Sequence, residues 1–365
     1  MYRKTDYLLR GLRFLNNRLF PSRKKISSLM FYGTNLCDSR CRHCMIWSKK
    51  PKVSLSKDKI IEIMQSRCIT PQTAVGLEGG EFLLHPEAFE IFSWFKENHP
   101  KFDILSNCLK PEKLIQAVTL YTPHRLYLSL DGTKETYLAM RGVDGYDKVI
   151  NVIEACKDIV PVSLMFTLTP YNNIADLEHV IDIAEKYRID VRIGMYNNID
   201  FFDTKDEAHK SVTFQGNHDI MKILPRILNT SENADFLLLY DEWVKGNVKL
   251  KCLSIADSLV IHPNGNVPIC QNLDVILGNV HENSLDEIFN SKSTICLHRR
   301  HCSSCNQCWI NFHRKYDVVF YRSLEKIFPK RAISLFLGDY QWTDDKKCSY
   351  NRFIRTQNSK IFQIF

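Results

Sequence analysis

Between residues 28 and 196, short runs of apolar and β-branched residues alternate with longer stretches whose apolar positions recur every three or four residues. The short runs, "SLMFYG", "AVGLE", "FDILS", "RLYLSL", "VSLMFTL" and "DVRIGM", predict strands. The longer stretches, "KDKIIEIMQS", "PEAFEIFSWFKEN", "PEKLIQAVTLY", "YDKVINVIEACKDI" and "IADLEHVIDIAEKY", predict the helices between them. Strands in strict alternation with helices imply parallel pairing, because parallel neighbours need a long crossover connection. Six such units fit either an open doubly wound sheet or a partial barrel, and periodicity does not choose.

Outside that block the pattern changes. The segment "YLLRGLRFLNNRLF" puts Leu8, Leu12, Phe14, Leu15 and Leu19 on one helical stripe among arginines. Such a helix caps the bottom of the main domain or lies on an anionic membrane surface, and capping is the expectation. Residues 217–246 predict two helices. "HPNGNVPIC" predicts a hairpin, with Asn264-Gly265 at its turn. The expected divisions are 1–27, a basic amphipathic helix; 28–215, the main domain; 216–250, a helical linker; 251–313, a small cysteine-rich α+β domain; and 314–365, a basic aromatic tail.

Charge sharpens this picture. The chain of 365 residues carries a formal charge of +8, yet residues 1–25 hold eight Lys/Arg against one Asp and residues 314–365 hold eleven against five. The body is therefore slightly acidic between basic ends, which argues against a general nucleic-acid-binding face. No segment supplies the ~20 apolar residues of a membrane helix, and no apolar signal core is present at the N-terminus. The expected location is cytoplasmic, with peripheral membrane contact through the basic ends as a further option.

In a reducing compartment, clustered cysteines are metal ligands or catalytic groups rather than disulfides. Eight of the thirteen cysteines fall in two sets: Cys37, Cys41 and Cys44, then Cys252, Cys270, Cys302, Cys305 and Cys308. The scattered Cys68, Cys108, Cys156, Cys296 and Cys348 read as small buried hydrophobes. The first set has the spacing Cys-x3-Cys-x2-Cys and directly follows the first predicted strand, where active sites of parallel α/β folds gather. Zinc would need a fourth ligand, and His43 lies too close in sequence to supply it. A disulfide would leave one thiol over. An iron–sulfur cluster on three thiolates would leave one iron open to an outside ligand.

That triplet, in that loop, resembles the signature of the radical S-adenosylmethionine (SAM) enzymes, in which the open iron is chelated by the amino and carboxylate groups of SAM. Three further stretches match. "LEGGEFLLHP" resembles the family's Gly-Gly-Glu motif: Gly79 and Gly80 allow close backbone approach to a ligand, and Glu81 could accept from an ammonium group. "ILSNCLKP" places Asn107 where the family has Thr-Asn-Gly, with Cys108 in the glycine's place. "LYLSLDGTKETYLAMRG" resembles the Ser-x-Asp-Gly…Arg-Gly stretch, so that Ser129 and Asp131 would face the cosubstrate and Arg141 would bind its carboxylate or ribose. The plain alternative for the last stretch is local: Asp131 and Thr133 capping a helix that Gly142 ends. His43, at a position often aromatic in the family, would stack near the adenine. The resemblance covers residues ~30 to ~200 and implies an α/β fold, a partial (β/α)6 TIM-like barrel.

The second set is similar to the auxiliary-cluster extension of the same superfamily, the SPASM or twitch domain. The resemblance implies one auxiliary [4Fe–4S] cluster besides the SAM-binding [4Fe–4S] cluster. The preferred ligands are Cys252, Cys270, Cys305 and Cys308, with Cys302 in reserve. Structural zinc is the alternative, since four thiolates suit either. "HRRHC", with His298 and His301, reads as a solvated basic loop, and His262 as a hairpin residue. By resemblance, the activity is reductive cleavage of SAM to a 5′-deoxyadenosyl radical that removes hydrogen from a substrate C–H bond, with flavodoxin or ferredoxin as electron donor. Gln271 stands where some relatives have a proton-accepting Asp, so no catalytic base is named. The short N-terminal segment favours a small metabolite (a sugar, cyclitol or nucleotide-linked compound) over the second option, a ribosomally made peptide. A non-catalytic zinc-binding adaptor is the rival from another class.

Overall fold

The computed structural model describes residues 4–197, 217–231, 236–237, 239–273 and 275–341. All six expected strands form: β1 (Ser28–Thr34), β2 (Ala74–Gly79), β3 (Phe102–Ser106), β4 (Arg125–Ser129), β5 (Val162–Leu168) and β6 (Asp190–Met195). The expected helices lie between them: α2 (Lys57–Met64), α3 (Ala88–Asn98), α4 (Pro111–Tyr121), α6 (Tyr146–Cys156) and α7 (Ile174–Tyr187). A helix not among those expected, α5 (Lys134–Arg141), sits between β4 and α6. Its N-cap is Thr133 and its C-cap Gly142 is left-handed, φ +65°, so the capping alternative holds for Thr133 and Gly142. Asp131 does not cap it.

Strand order decides between the two parallel architectures. The sheet runs β6-β5-β4-β3-β2-β1-β7, every pair parallel. A doubly wound sheet reverses its order at a switch point. Here the order never reverses from β1 to β6, and right-handed crossovers then put every helix on one face. The sheet is a curled half-barrel.

Its seventh strand, β7 (Ser258–Ile261), was not expected. It comes from the cysteine-rich region and pairs in register with β1, Ser28 opposite Ser258 and Phe31 opposite Ile261. Consequently the expected hairpin keeps its turn, with Gly265 at φ +85°, but its first arm belongs to the barrel. Its second arm, β8 (Asn266–Pro268), pairs antiparallel with β9 (Ile276–Asn279).

The strands have two different faces. Leu29, Phe31, Val75, Leu77, Ile104, Leu126, Leu128, Leu164 and Phe166 join the main core beneath the helices. The alternate residues, Tyr32, Glu78, Asp103, Tyr127 and Thr167 among them, take the opposite, concave face by the period of two. The concave face is polar.

Helix α1 (Lys4–Leu19) caps the bottom, the end where the strands begin. Arg10 donates to Ser28 Oγ at 2.7 Å and pairs with Asp257 at 2.9 Å, while Phe14 is buried against Phe320. Leu12, Leu15 and Leu19 of the expected stripe stay exposed. After α8 (Asn217–Thr230) and α9 (Tyr240–Val244) come α10 (Leu285–Asn290), α11 (Lys292–Ser304), α12 (Asn311–Ile327) and α13 (Lys330–Leu337). "HRRHC" lies in α11, not in a loop, and His298 is buried in it. Among the scattered cysteines, Cys68, Cys108 and Cys156 are buried and Cys296 is exposed, contrary to expectation; Cys348 lies outside the described residues.

Candidate active site

The loop after β1 carries Cys37, Cys41 and Cys44, with Cys41 buried and the other two half-buried. Two neighbouring loops hold it. Gly80 N–H donates to Thr34 O at 2.8 Å and Glu81 N–H to Leu36 O at 2.7 Å. A Cβ at Gly79 would stand 2.5 Å from Thr34 O, and one at Gly80 would stand 2.0 Å from Leu36 O. The two glycines therefore let β2's end press against the cysteine loop itself; close approach is needed there first.

Glu81 is turned to the same task. It is buried, and its carboxylate accepts from Asn107 N–H at 2.7 Å, from Leu83 N–H at 3.2 Å and from Ser106 Oγ at 3.1 Å. Burial raises its pKa to about 7 despite these donors. Asn107, thus positioned, donates to Asp38 Oδ1 at 2.9 Å and points the same amide toward Cys37 Sγ at 3.9 Å. Cys108 adopts φ +62°, the left-handed conformation glycine would supply. The geometry survives the substitution, at about 1–2 kcal/mol of backbone strain.

On the other side, Arg141 Nε and Nη2 donate to Asp131 Oδ2 at 2.8 and 2.6 Å, and Arg141 Nη1 reaches Cys41 Sγ at 4.0 Å. Asp131 Oδ1 accepts Thr167 N–H at 3.2 Å. Burial alone would lower the Arg141 pKa, but Asp131 and then Cys41 hold it raised. Ser129 ends β4 at the same rim. His43 is half-buried, with its Nδ1 buried and unpartnered; burial lowers its pKa to about 4, so its imidazole is neutral.

The donor set suits a cluster. Burial first, then the neighbouring Cys41 charge, pushes the Cys37 thiol up to about 12, and Cys44 is raised for the same two causes. Thiolates at such a place need a cation to hold them, and iron supplies it. Three thiolates, the nearby guanidinium of Arg141 and the unpartnered imidazole nitrogen of His43 fit a cubane that presents its fourth iron to SAM.

The second set converges as well. Cys252, Cys270 and Cys308 are buried, while Cys302 and Cys305 are half-exposed. Cys252 N–H donates to Cys305 O at 3.1 Å, and burial pushes the Cys270 and Cys302 thiols up to about 12 and Cys308 to about 11. Among the described residues no group of three or more His, Cys, Asp or Glu could hold a single metal ion. Strand β7 explains how the two sets meet: pairing with β1 brings Cys308 into one apolar cluster with Tyr32, Cys37 and Cys44.

Three residues have structural roles that the sequence reading did not assign: Gln271, Arg314 and Asp317. Gln271, beside Cys270, donates to Tyr32 Oη at 2.5 Å and Met30 Sδ at 3.1 Å, and its Oε1 is buried and unpartnered. Arg314 and Asp317, on α12, form a fully buried pair at 2.8 Å. Arg314 reaches Leu250 O at 2.6 Å and hydrogen-bonds Cys252; Asp317 accepts Leu253 and Ser254 N–H at 3.0 and 3.1 Å. Only their i, i+3 spacing on a helix is visible beforehand.

A half-barrel with an open three-thiolate loop at its rim and a second thiolate set against its edge strand defines a radical SAM protein with an auxiliary cluster. The family models agree: residues 31–184 match the radical SAM superfamily and residues 252–309 match an iron–sulfur cluster-binding domain, SPASM. The chain belongs to the radical SAM superfamily. Among curated relatives, it is 23% identical over 274 residues to the antilisterial bacteriocin subtilosin biosynthesis protein AlbA of Bacillus subtilis, covering 72% of this chain and 59% of that one. A probable GTP 3′,8-cyclase of Saccharolobus islandicus is 28% identical over 154 residues, 41% of this chain and 50% of that one. The chain thus spans little more than half the length of these relatives. Among solved structures, Streptococcus suis SuiB bound to precursor peptide SuiA superposes with a TM-score of 0.62 at 13% identity, covering 77% of this chain and 68% of that one. Native anSMEcpe with bound AdoMet and a Cp18Cys peptide superposes with a TM-score of 0.53 at 16% identity, covering 84% of this chain and 98% of that one.

Proposed function

We propose that this radical SAM enzyme modifies a ribosomally made peptide, removing a hydrogen atom from one of its C–H bonds. The observation that carries this reading is the similarity to AlbA, a bacteriocin biosynthesis protein, over 274 residues and 72% of this chain. The similarity to the cyclases spans only 154 residues. The small-metabolite reading rested on the short segment before β1. That segment is no argument against a peptide, since recognition can reside in another chain or domain.

The cavity chemistry is in keeping. A cavity of about 790 Å³ lies between the loop 48–53 and the hairpin 262–276, reaching Cys270 and Gln271. Asn35, Lys49, Lys50, His262 and Asn264 line it, side chains suited to peptide carbonyls and amides. A reduced cluster held by Cys37, Cys41 and Cys44 would supply the electron that cleaves bound SAM. This chain's residues do the rest. Asp131 and Thr167 fix Arg141 at the rim, Asn107 and Asp38 brace the cysteine loop, and neutral His43 offers an apolar face to the adenine. Gln271 Oε1 accepts an N–H from the substrate backbone.

The test is an anaerobic reaction of the reconstituted protein with SAM, reductant and a panel of short candidate precursor peptides, deuterated at their side chains. Deuterium in 5′-deoxyadenosine and a matching mass loss in the peptide support the proposal. Deuterium transfer from a sugar, cyclitol or nucleotide, with none from the peptide, refutes it.

A further inference from the structure

The auxiliary thiolates are not equally enclosed. Cys252, Cys270 and Cys308 face inward, and Cys308 shares an apolar cluster with Cys37 and Cys44 of the first set. Cys302 and Cys305 are half-exposed, packed against the apolar cluster that holds Cys252 and Cys270. A cluster on these thiolates would be held by Cys308 on the side of Cys37 and Cys44 and by Cys302 beside solvent.

The solvent edge opens into a basin of about 450 Å³ between α1 and α11, and Cys302 is part of its wall. Arg18, Lys24, Lys251, Arg299 and His298 line it, and no Asp or Glu does. The positive character extends past the basin. Helix α11, "KSTICLHRRHCSS", has no acidic residue, and Lys292, Arg299 and Arg300 on it are exposed, as is Arg23 beside α1. Lys24 is buried at the floor, its Nζ donating to Phe289 O at 2.6 Å, with no carboxylate among the partners that set its charge. A basic surface of this extent repels cations and steers acidic partners.

We propose that the α1–α11 basin is the docking surface for an acidic one-electron carrier protein of the flavodoxin or ferredoxin kind, which delivers electrons at the Cys302–Cys305 edge of the auxiliary cluster. In each event the carrier's reduced flavin or iron–sulfur centre loses one electron and the auxiliary cluster gains one; no bond is made or broken. A small anion would fill the basin but has no need of the exposed arginines around it, whereas a protein surface covers both. Electron transfer falls steeply with distance, so a carrier must seat where the cluster is least covered. That place is this basin.

The test compares two reductants on the holoprotein. Stopped-flow absorbance follows cluster reduction by flavodoxin hydroquinone and, separately, by dithionite, in wild type, in Arg18→Glu/Arg299→Glu and in Arg299→Glu/Arg300→Glu. Both variants keep their iron and reduce with dithionite at the wild-type rate. Flavodoxin reduces them at least tenfold more slowly, and surface plasmon resonance shows weaker flavodoxin binding. Rising salt removes the wild-type advantage. Equal flavodoxin rates in wild type and both variants would overturn the proposal. So would flavodoxin-insensitive variants that instead lose binding to phosphatidylserine vesicles, an outcome that gives the basic surface to a membrane. Peptide modification driven by dithionite tests the enzyme reading independently of either result.

Discussion

At the scale of single residues, the site is built from buried polar groups that hold one another. Asp131 and Arg141 are both buried, and the pair survives because its hydrogen bonds offset desolvation. Arg141→Leu leaves the Asp131 carboxylate without its partner and costs about 3–5 kcal/mol, measured by denaturant unfolding of the apoprotein. Arg141→Lys recovers part of that, but not the paired Nε and Nη2 donors to Asp131 Oδ2. His85 gives a pH signature away from the clusters. It is buried, Nδ1 accepts Glu87 N–H at 3.0 Å, and Nε2–H therefore donates to Leu55 O at 2.8 Å. Burial lowers its pKa, so the unfolded chain takes up a proton that the folded chain refuses. Its contribution is whole above about pH 6.5 and is lost as pH falls below that value. His85→Gln flattens this part of the stability–pH curve; an unchanged acid limb in apoprotein unfolding would contradict the assignment.

At the scale of elements, the strands from β1 to β6 were legible because each carries buried apolar residues at alternate positions. The apolar alternate residues mark the helix-facing side whatever lies in the lumen. Strand β7 was not: four residues before a strong turn signal look like a hairpin arm, and nothing local reveals a partner 230 positions away. The cysteine loops were legible by spacing, but the roles inside them were not. Glu81 reads as a ligand group and is spent on backbone N–H groups; Cys108 reads as a break in the motif and keeps the glycine's backbone angle. Helix α7 shows how an element braces the rim from outside. Asn173 and Asp176 form a capping box, and Asp176 Oδ1 also accepts Thr133 N–H at 3.3 Å. Asn173→Ala costs about 1 kcal/mol by thermal unfolding and leaves SAM cleavage intact. Gly80→Ala forces the cysteine loop apart and abolishes iron incorporation at the first site. Equal iron content in the two variants would contradict that contrast.

At the scale of the whole molecule, β7 and α12 make the cysteine-rich region part of the barrel. β7 extends the sheet, and the buried Arg314–Asp317 pair ties Cys252 and the segment 250–254 to α12, beyond the matched domain. Reconstituted protein contains about eight irons, four in each cube. Arg314→Met removes about four of them while Cys37, Cys41 and Cys44 keep theirs, read as iron content with SAM binding retained. Full iron content in this variant would show that α12 is only packing. Among the described residues no helix is long and apolar enough to cross a membrane.

Everything functional descends from an iron that the protein leaves without a ligand. Electron–nuclear double resonance of the reduced cluster, with SAM labelled at its amino nitrogen and carboxylate oxygens, examines that iron directly. The account predicts hyperfine coupling from both labels, present in wild type and absent in Cys41→Ala. Reduced clusters that show coupling to neither label, with all sites filled by side chains, would contradict it.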